Sequence, residues 1–461
     1  MRWKDLSITF SVYNPKIISF PYRFLEFNKT DFQLIQKTIN FLYMTTDEKI
    51  KYLTVTIPLG IVYIYLSLFS KQYSGATFSL VLTLACLIYF IGYYLIDLKK
   101  IPAKIILLTA FIYSLILFTT PINKTSDTTA YILGARVAFI GKYNPFITPY
   151  ILFKNDIMYQ NFKDYGWAEY PYTYSPLFLY LSGIFLYLSG NNFVINIIIF
   201  RIFFLITFMA GALIFNKISR NRQALYLYLF NPIVLNDLVK ESHVESLLIL
   251  LILAGVYFIL FKKYLKAFLS FVSAFLIKIN FIIFLPMVLI YMLRSRTVPI
   301  KKIFIIAIIG ASAVVLAYLP FWQGVGIFSR IAGLISGSKF QLISINFLCL
   351  VFIPILTLFH KSLYESYILS GQILFITGII IYTFYSMRLY VSKTDIYTFL
   401  KSLNFSYFIY LFFLINWFFP HYATVLLLLT TLIYGFKEES NSLKIISAIT
   451  VYSSLYFILP K

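Results

Sequence analysis

Residues 103–139 read AKIILLTAFIYSLILFTTPINKTSDTTAYILGARVAF. From residue 101 to 120 the only charge is Lys104, and a stretch of about 20 apolar residues is what a helix needs to cross a bilayer. Pro121 and a polar segment stop it. From Ser126 the pattern changes: polar residues to Thr129, then an amphipathic run through Tyr143. That run reads as a helix lying along a membrane surface rather than through it. A spanning run that leads into an aromatic, acid-bearing loop marks a polytopic membrane protein.

The spanning pattern recurs along the chain. Candidate spans are roughly 53–70, 75–96, 101–120, 173–189, 192–215, 223–239, 246–261, 267–292, 303–321, 341–359, 366–390, 397–419, 421–436 and 443–460, bounded by charges, Pro or Gly. The fold class expected is therefore an all-α polytopic membrane bundle of about 12 to 14 transmembrane helices. Composition agrees: of 461 residues 60% are hydrophobic and 12% charged, against about 25% charged in soluble chains. A water-soluble globular enzyme is excluded. The formal charge of +22 would suggest nucleic acid in a soluble protein, but most basic residues sit between apolar runs, so it reads as topology and no nucleic-acid partner is expected. The two cysteines, Cys86 and Cys349, lie far apart in apolar runs and indicate neither a disulfide scaffold nor a metal cluster.

Four regions follow. Residues 1–52 carry mixed charge and are expected to stay cytoplasmic; 53–100 form a transmembrane hairpin whose second connection is basic through Lys99, Lys100 and Lys104. Residues 101–293 combine several spans with the long outer loop 121–172, and 294–461 supply further helices. Beyond residue 190 alternation and the positive-inside tendency conflict at Lys217, Arg220 and Arg222. Either a segment is re-entrant or the bias fails locally.

Several residues stand out chemically. On a helix Asp127, Tyr131, Gly134 and Ala138 share one face, an acid beside an aromatic with small residues beyond, able to admit a sugar or lipid head group. Arg136 lies about half a turn away, so it points from the acid and is free to snorkel to lipid phosphate. The plain alternative for Asp127 is a first-turn acid or helix cap. Residues 170–181, YPYTYSPLFLYL, place Tyr172 and Tyr174 before the next span, where an aromatic belt is the plain alternative. Between two apolar spans, residues 229–246 hold Asp237, Lys240, Glu241, His243 and Glu245; Asn236, Lys240 and His243 would share a helical face. Lys278 and Arg201 sit among apolar residues, and a lysine in hydrocarbon is a functional candidate by default. Its plain alternative is a lysine at a break between short helices, marked by Asn280 and Pro286. The three histidines, His243, His360 and His421, are too scattered to show zinc-site spacing.

Together these segments resemble the GT-C superfamily of polytopic glycosyltransferases that use a polyprenyl-phosphate sugar. Within it the likeness is to bacterial polyprenol-phosphomannose mannosyltransferases and the catalytic subunit that adds the first mannose to glycosylphosphatidylinositol. It covers about 101–293 and, more thinly, 415–428. The family's outer-loop acid, Tyr, Arg and G-x-N/S-P-Y element look like Ser126-Asp127, Tyr131, Arg136 and Gly141 through Phe146, with Asn144 in the element. Its Y-x-Y-x-P-L element is matched by Tyr172, Tyr174, Pro176 and Leu177; its NP and polar element by Asn231-Pro232 and His243-Val244-Glu245-Ser246. Lys278, Ile279, Leu285 and Pro286 are similar to its LK-I…LP element, and Pro420-His421-Tyr422 echo its late P-W-Y. Thr125 stands where a DxD would begin and Gly134 where some members have a second Asp. No all-carboxylate metal clamp is implied, and a divalent cation (Mg or Mn) is one alternative to cofactor-free chemistry.

The resemblance implies an inverting hexosyltransferase, with mannose as the hexose, acting at the extracytoplasmic face. The donor would be a polyprenyl-phosphate sugar and the acceptor a hydroxyl of a lipid-linked glycan, glycolipid or polysaccharide. Asp127 would be catalytic; Tyr131, Arg136, Asn144, Tyr172, Tyr174, His243, Glu245, Lys278 and Tyr422 would bind donor or acceptor. The rival from another class is a transporter or flippase of lipid-linked sugars, which predicts paired helical repeats. The plasma membrane of a bacterium or archaeon is the expected location; endoplasmic reticulum is the alternative, for which Asn123-Lys124-Thr125 would be a luminal sequon.

Overall fold

The computed structural model describes residues 44–69, 75–121, 127–162, 168–324, 347–359, 362–391, 395–415 and 418–456. Most of the 1–52 segment, Ser126, the Asn123 sequon and His360 lie outside the described residues. Among the described residues all regular structure is helical. In chain order it runs α1 (Thr46–Phe69), α2 (Gly75–Leu95), α3 (Ala103–Phe118), α4 (Asp127–Phe139), α5 (Pro176–Ser189), α6 (Phe193–Ser219), α7 (Arg222–Leu229) and α8 (Pro232–Leu235), which widens into a π turn over Asn236–Lys240. There follow α9 (Glu245–Leu260), α10 (Tyr264–Ile277), α11 (Phe284–Ser295), α12 (Ile300–Tyr318), α13 (Phe347–Thr357), α14 (Leu363–Val391), α15 (Ile396–Ile409), α16 (Pro420–Phe436) and α17 (Ser440–Leu455).

Five described spans are long and apolar enough to cross a membrane unaided, those built on α1, α2, α6, α12 and α14, or six if α8 and α9 are halves of one bent span. The chain is a multi-pass membrane protein. Among the described residues further apolar helices, including α3, α5, α10 and α16, are shorter than those spans, because several apolar runs are cut short. The run 223–239 is two helices and a π turn, and 267–292 breaks at Lys278, whose backbone is extended (φ −145, ψ 120). At about 1.5 Å per residue, α10 and α11 each fall short of the hydrocarbon thickness alone. A 112° bend separates Pro232–Lys240 from α9, the geometry of a broken or re-entrant segment. His243 therefore does not share a helical face with Asn236 and Lys240.

Burial follows position in the bundle. On α12 a large share of the apolar side chains, such as Phe304, Leu316 and Val315, face outward, which a bilayer accepts and water would not. By contrast α16 is buried on all sides from Pro420 to Tyr434, as expected of a helix apolar all round at the centre of a bundle. Its buried Thr430 and Thr431 hydroxyls donate to the carbonyls of Leu426 and Leu427, each at 2.7 Å, so the helix satisfies its own polar groups. The loop helix α4 is likewise covered: Thr128 through Val137 are buried, with α5 and the short turn Tyr150–Phe153 packed against it.

Candidate functional site

Four helix ends converge beneath the outer loop. Asp127 lies in the first turn of α4, Glu245 in the first turn of α9, His421 in the first turn of α16, and Lys278 caps the end of α10. Local sequence explains two of them, and the start of α8 that leads to the second. Pro420 opens α16, where its missing N–H costs nothing. Asn231 caps α8 by accepting from the Ile233 and Val234 N–H groups, so the NP element is a helix start. Ser242 takes a left-handed backbone (φ 58) in the sharp turn before α9. Such a conformation costs a non-glycine residue about 1–2 kcal/mol and persists where the surroundings enforce it.

At the centre, Tyr174 Oη donates to Asp127 Oδ2 at 2.8 Å, and His243 Nδ1 lies 3.2 Å from the same oxygen. The His421 ring stacks on that of His243, centroids 4.2 Å apart, and on Phe419 behind it. Asp127 keeps a side-chain exposure of 25% and His243 of 13%, so the pair is reachable from outside. Burial opposes ionisation of Asp127, but His243, with His421 and Lys278 nearby, outweighs it and holds the carboxyl below its usual range. Beside this pair Lys278 Nζ lies 2.5 Å from Glu245 Oε1 and packs over the Tyr422 ring at 4.3 Å. The second Glu245 oxygen is buried without a hydrogen-bond partner.

The surrounding shell fixes these groups. Ser175 N donates to Ile277 O at 2.9 Å, tying the tyrosine segment to the residue before Lys278. Tyr131 Oη accepts from Val244 N at 3.1 Å, and its ring sits among Tyr174, Phe178, Phe200 and Phe204. Gly134 permits the approach of Tyr172, since a Cβ there would fall 2.1 Å from Tyr172 Cδ2.

Asp127, Tyr174, His243, Glu245, Lys278 and Tyr422 are thus one cluster, with Tyr131 and Tyr172 behind it. Lys278 is the lysine at a helix break that the sequence offered, and it is ion-paired there with Glu245. Arg136 and Asn144 lie elsewhere. Arg136, 4% exposed, donates to both oxygens of Asp156 (2.7 and 2.8 Å) and to Asn191, so it fastens the outer loop instead of reaching lipid. Asn144 Nδ2 donates to Phe321 O at 2.7 Å, linking that loop to the end of α12. Arg201 donates to the carbonyls of Phe118 and Thr120 and serves as a clamp on the end of α3.

His421 belongs to the centre although its spacing from His243 gave no sign of it; the signal was the Pro420-His421-Tyr422 echo, which the fold carries to Asp127. One ligand atom each from Asp127, His243 and His421 lies within 4.8 Å of the others, so these residues can hold a metal ion.

A family model described as alpha-(1->6)-mannopyranosyltransferase, N-terminal domain, matches residues 58–294. No curated protein and no solved structure matches the chain. The matched residues include Asp127, Tyr174, His243, Glu245 and Lys278 and make up more than half of the chain. The chain accordingly belongs to the MptA/B family of alpha-(1->6)-mannopyranosyltransferases and is a membrane mannosyltransferase.

Proposed function

We propose that the enzyme moves mannose from a polyprenyl-phosphate donor to a hydroxyl of a lipid-linked glycan or polysaccharide, on the extracytoplasmic face of a bacterial or archaeal plasma membrane. The observation that carries this reading is the convergence on Asp127. A partly exposed carboxylate sits where three helix N-termini and Lys278 gather positive potential. Helix N-termini and a lysine suit a phosphate-bearing donor, and the carboxylate suits an acceptor hydroxyl. His243 and Tyr174 both engage Oδ2, which orients Oδ1 toward an incoming partner.

In the reaction the acceptor oxygen forms a bond to the anomeric carbon while the bond from that carbon to the phosphate oxygen breaks. The hydroxyl proton passes to Asp127, which requires hydrogen-bond contact with the acceptor. The electron pair leaves with the polyprenyl phosphate, whose growing charge Lys278 and the helix ends stabilise. One displacement inverts the centre, so an α product, the α-(1→6) linkage of the family name, requires a β-linked donor. A membrane-embedded enzyme suits a donor whose chain lies in the bilayer.

The test is transfer of radiolabelled mannose, by membranes containing the protein, from synthetic polyprenyl-phosphate mannose and separately from a nucleotide-activated mannose, with a lipid extract as acceptor. The reading expects label in product from the lipid donor alone. Transfer only from the nucleotide sugar would overturn the donor, and movement of the intact lipid donor across vesicles without transfer would favour a flippase.

A further inference from the structure

We infer that Asp127, His243 and His421 form a binding site for a single divalent transition-metal ion of the zinc class. The three residues come from three elements, yet their ligand atoms lie within 4.8 Å of one another. A tetrahedral ion with bonds of about 2.0–2.1 Å holds its ligand atoms roughly 3.3 Å apart. Asp127 Oδ2 and His243 Nδ1, 3.2 Å apart, already have that spacing, and an ion would take the place of the proton they now share. His421, stacked on His243, completes the set once its ring leaves the stack so that a nitrogen lone pair, which lies in the ring plane, faces the ion.

The chemistry of the donors selects the ion. Two imidazoles and one carboxylate suit Zn²⁺ and its first-row neighbours, whereas Mg²⁺ seeks oxygen and keeps its waters. The Mg alternative expected from the sequence is therefore the weaker one. Three protein ligands leave a coordination position open, and the exposure of Asp127 and His243 gives it access. The outer shell is in place as well. Tyr174 Oη bonds to the ligating carboxylate at 2.8 Å, the kind of contact that orients a metal ligand. Lys278 does not compete with the ion for Asp127, because Glu245 engages it.

The inference concerns the site of the proposed reaction, and rests on that reading only for the use made of the open position, which would take an anionic oxygen of the donor phosphate. Ion binding itself needs no substrate. The test uses tag-free full-length protein in detergent, stripped with a chelator, dialysed against Zn²⁺ alone and analysed for bound metal, with Co²⁺ absorption reporting the ligand set. Wild type should retain one ion per chain. His421→Phe, which keeps the ring stack but removes the donor, should lose it, as should Asp127→Asn. Tyr174→Phe should weaken binding by about tenfold. Thermal unfolding of each variant separates lost ligation from lost fold. Zinc retention no different between wild type and His421→Phe would overturn the site. Full mannosyl transfer by metal-stripped wild type would remove the ion from the reaction and leave the transferase reading intact. Bound zinc without transfer would do the reverse.

Discussion

Lys278 Nζ at the end of α10 and Glu245 Oε1 at the start of α9 lie 2.5 Å apart, with both side chains largely withdrawn from solvent. A buried ion pair of this kind is held by mutual need: removing one partner strands the other. Lys278→Met or Glu245→Gln alone should cost about 3–5 kcal/mol of stability, read as a fall in the unfolding midpoint in detergent. The double variant Lys278→Met with Glu245→Leu should recover most of that stability. It should not recover transfer, because the cation beside the leaving phosphate is gone.

Gly134 faces Tyr172 so closely that a methyl group would overlap the ring. Gly134→Ala should therefore destabilise the protein by about 1–3 kcal/mol and lower transfer by displacing the segment that carries Tyr174. Adding Tyr172→Leu should restore stability, since the smaller side chain vacates the contact; thermal unfolding of the three variants checks this.

Arg136 is a fastener of the outer loop. Arg136→Lys loses the two-pronged contact with Asp156, which a single ammonium cannot reproduce. The expected outcome is a lower unfolding midpoint and faster proteolysis within 140–160, with the apparent KM for the lipid donor unchanged. A raised KM at unchanged stability would restore the role in lipid phosphate binding that the sequence suggested.

Tyr131 anchors the turn that presents His243. Tyr131→Phe keeps the ring packing but leaves the buried Val244 N–H without its acceptor, a loss of about 1–3 kcal/mol. Slower transfer should accompany it, as the turn and His243 shift from Asp127.

Much of this site was legible in the chain because charge among apolar residues is costly and therefore conspicuous. Lys278 announced itself that way, Asp127 and Glu245 stood out through the resemblance, and the half-turn offset correctly turned Arg136 from Asp127. What could not be read is what only tertiary structure joins. His243 and His421 stack from distant segments, and nothing in their spacing says so. Asp156, the true partner of Arg136, sits in a loop without periodicity. The sharp bend before α9 uses Ser242 in a left-handed conformation rather than the Gly or Pro that would have marked it. The break within a span was missed for a related reason: hydropathy registers an apolar run such as 267–292 as continuous, while the backbone breaks where Lys278 must reach Glu245.

The most direct measurement of the central claim is the rate of mannosyl transfer by Asp127→Asn beside wild type, both purified and shown by thermal unfolding to be folded. The amide preserves shape and removes the proton acceptor. The account predicts a fall of about 10²–10⁴ in kcat at equal protein; a rate within twofold of wild type would contradict it.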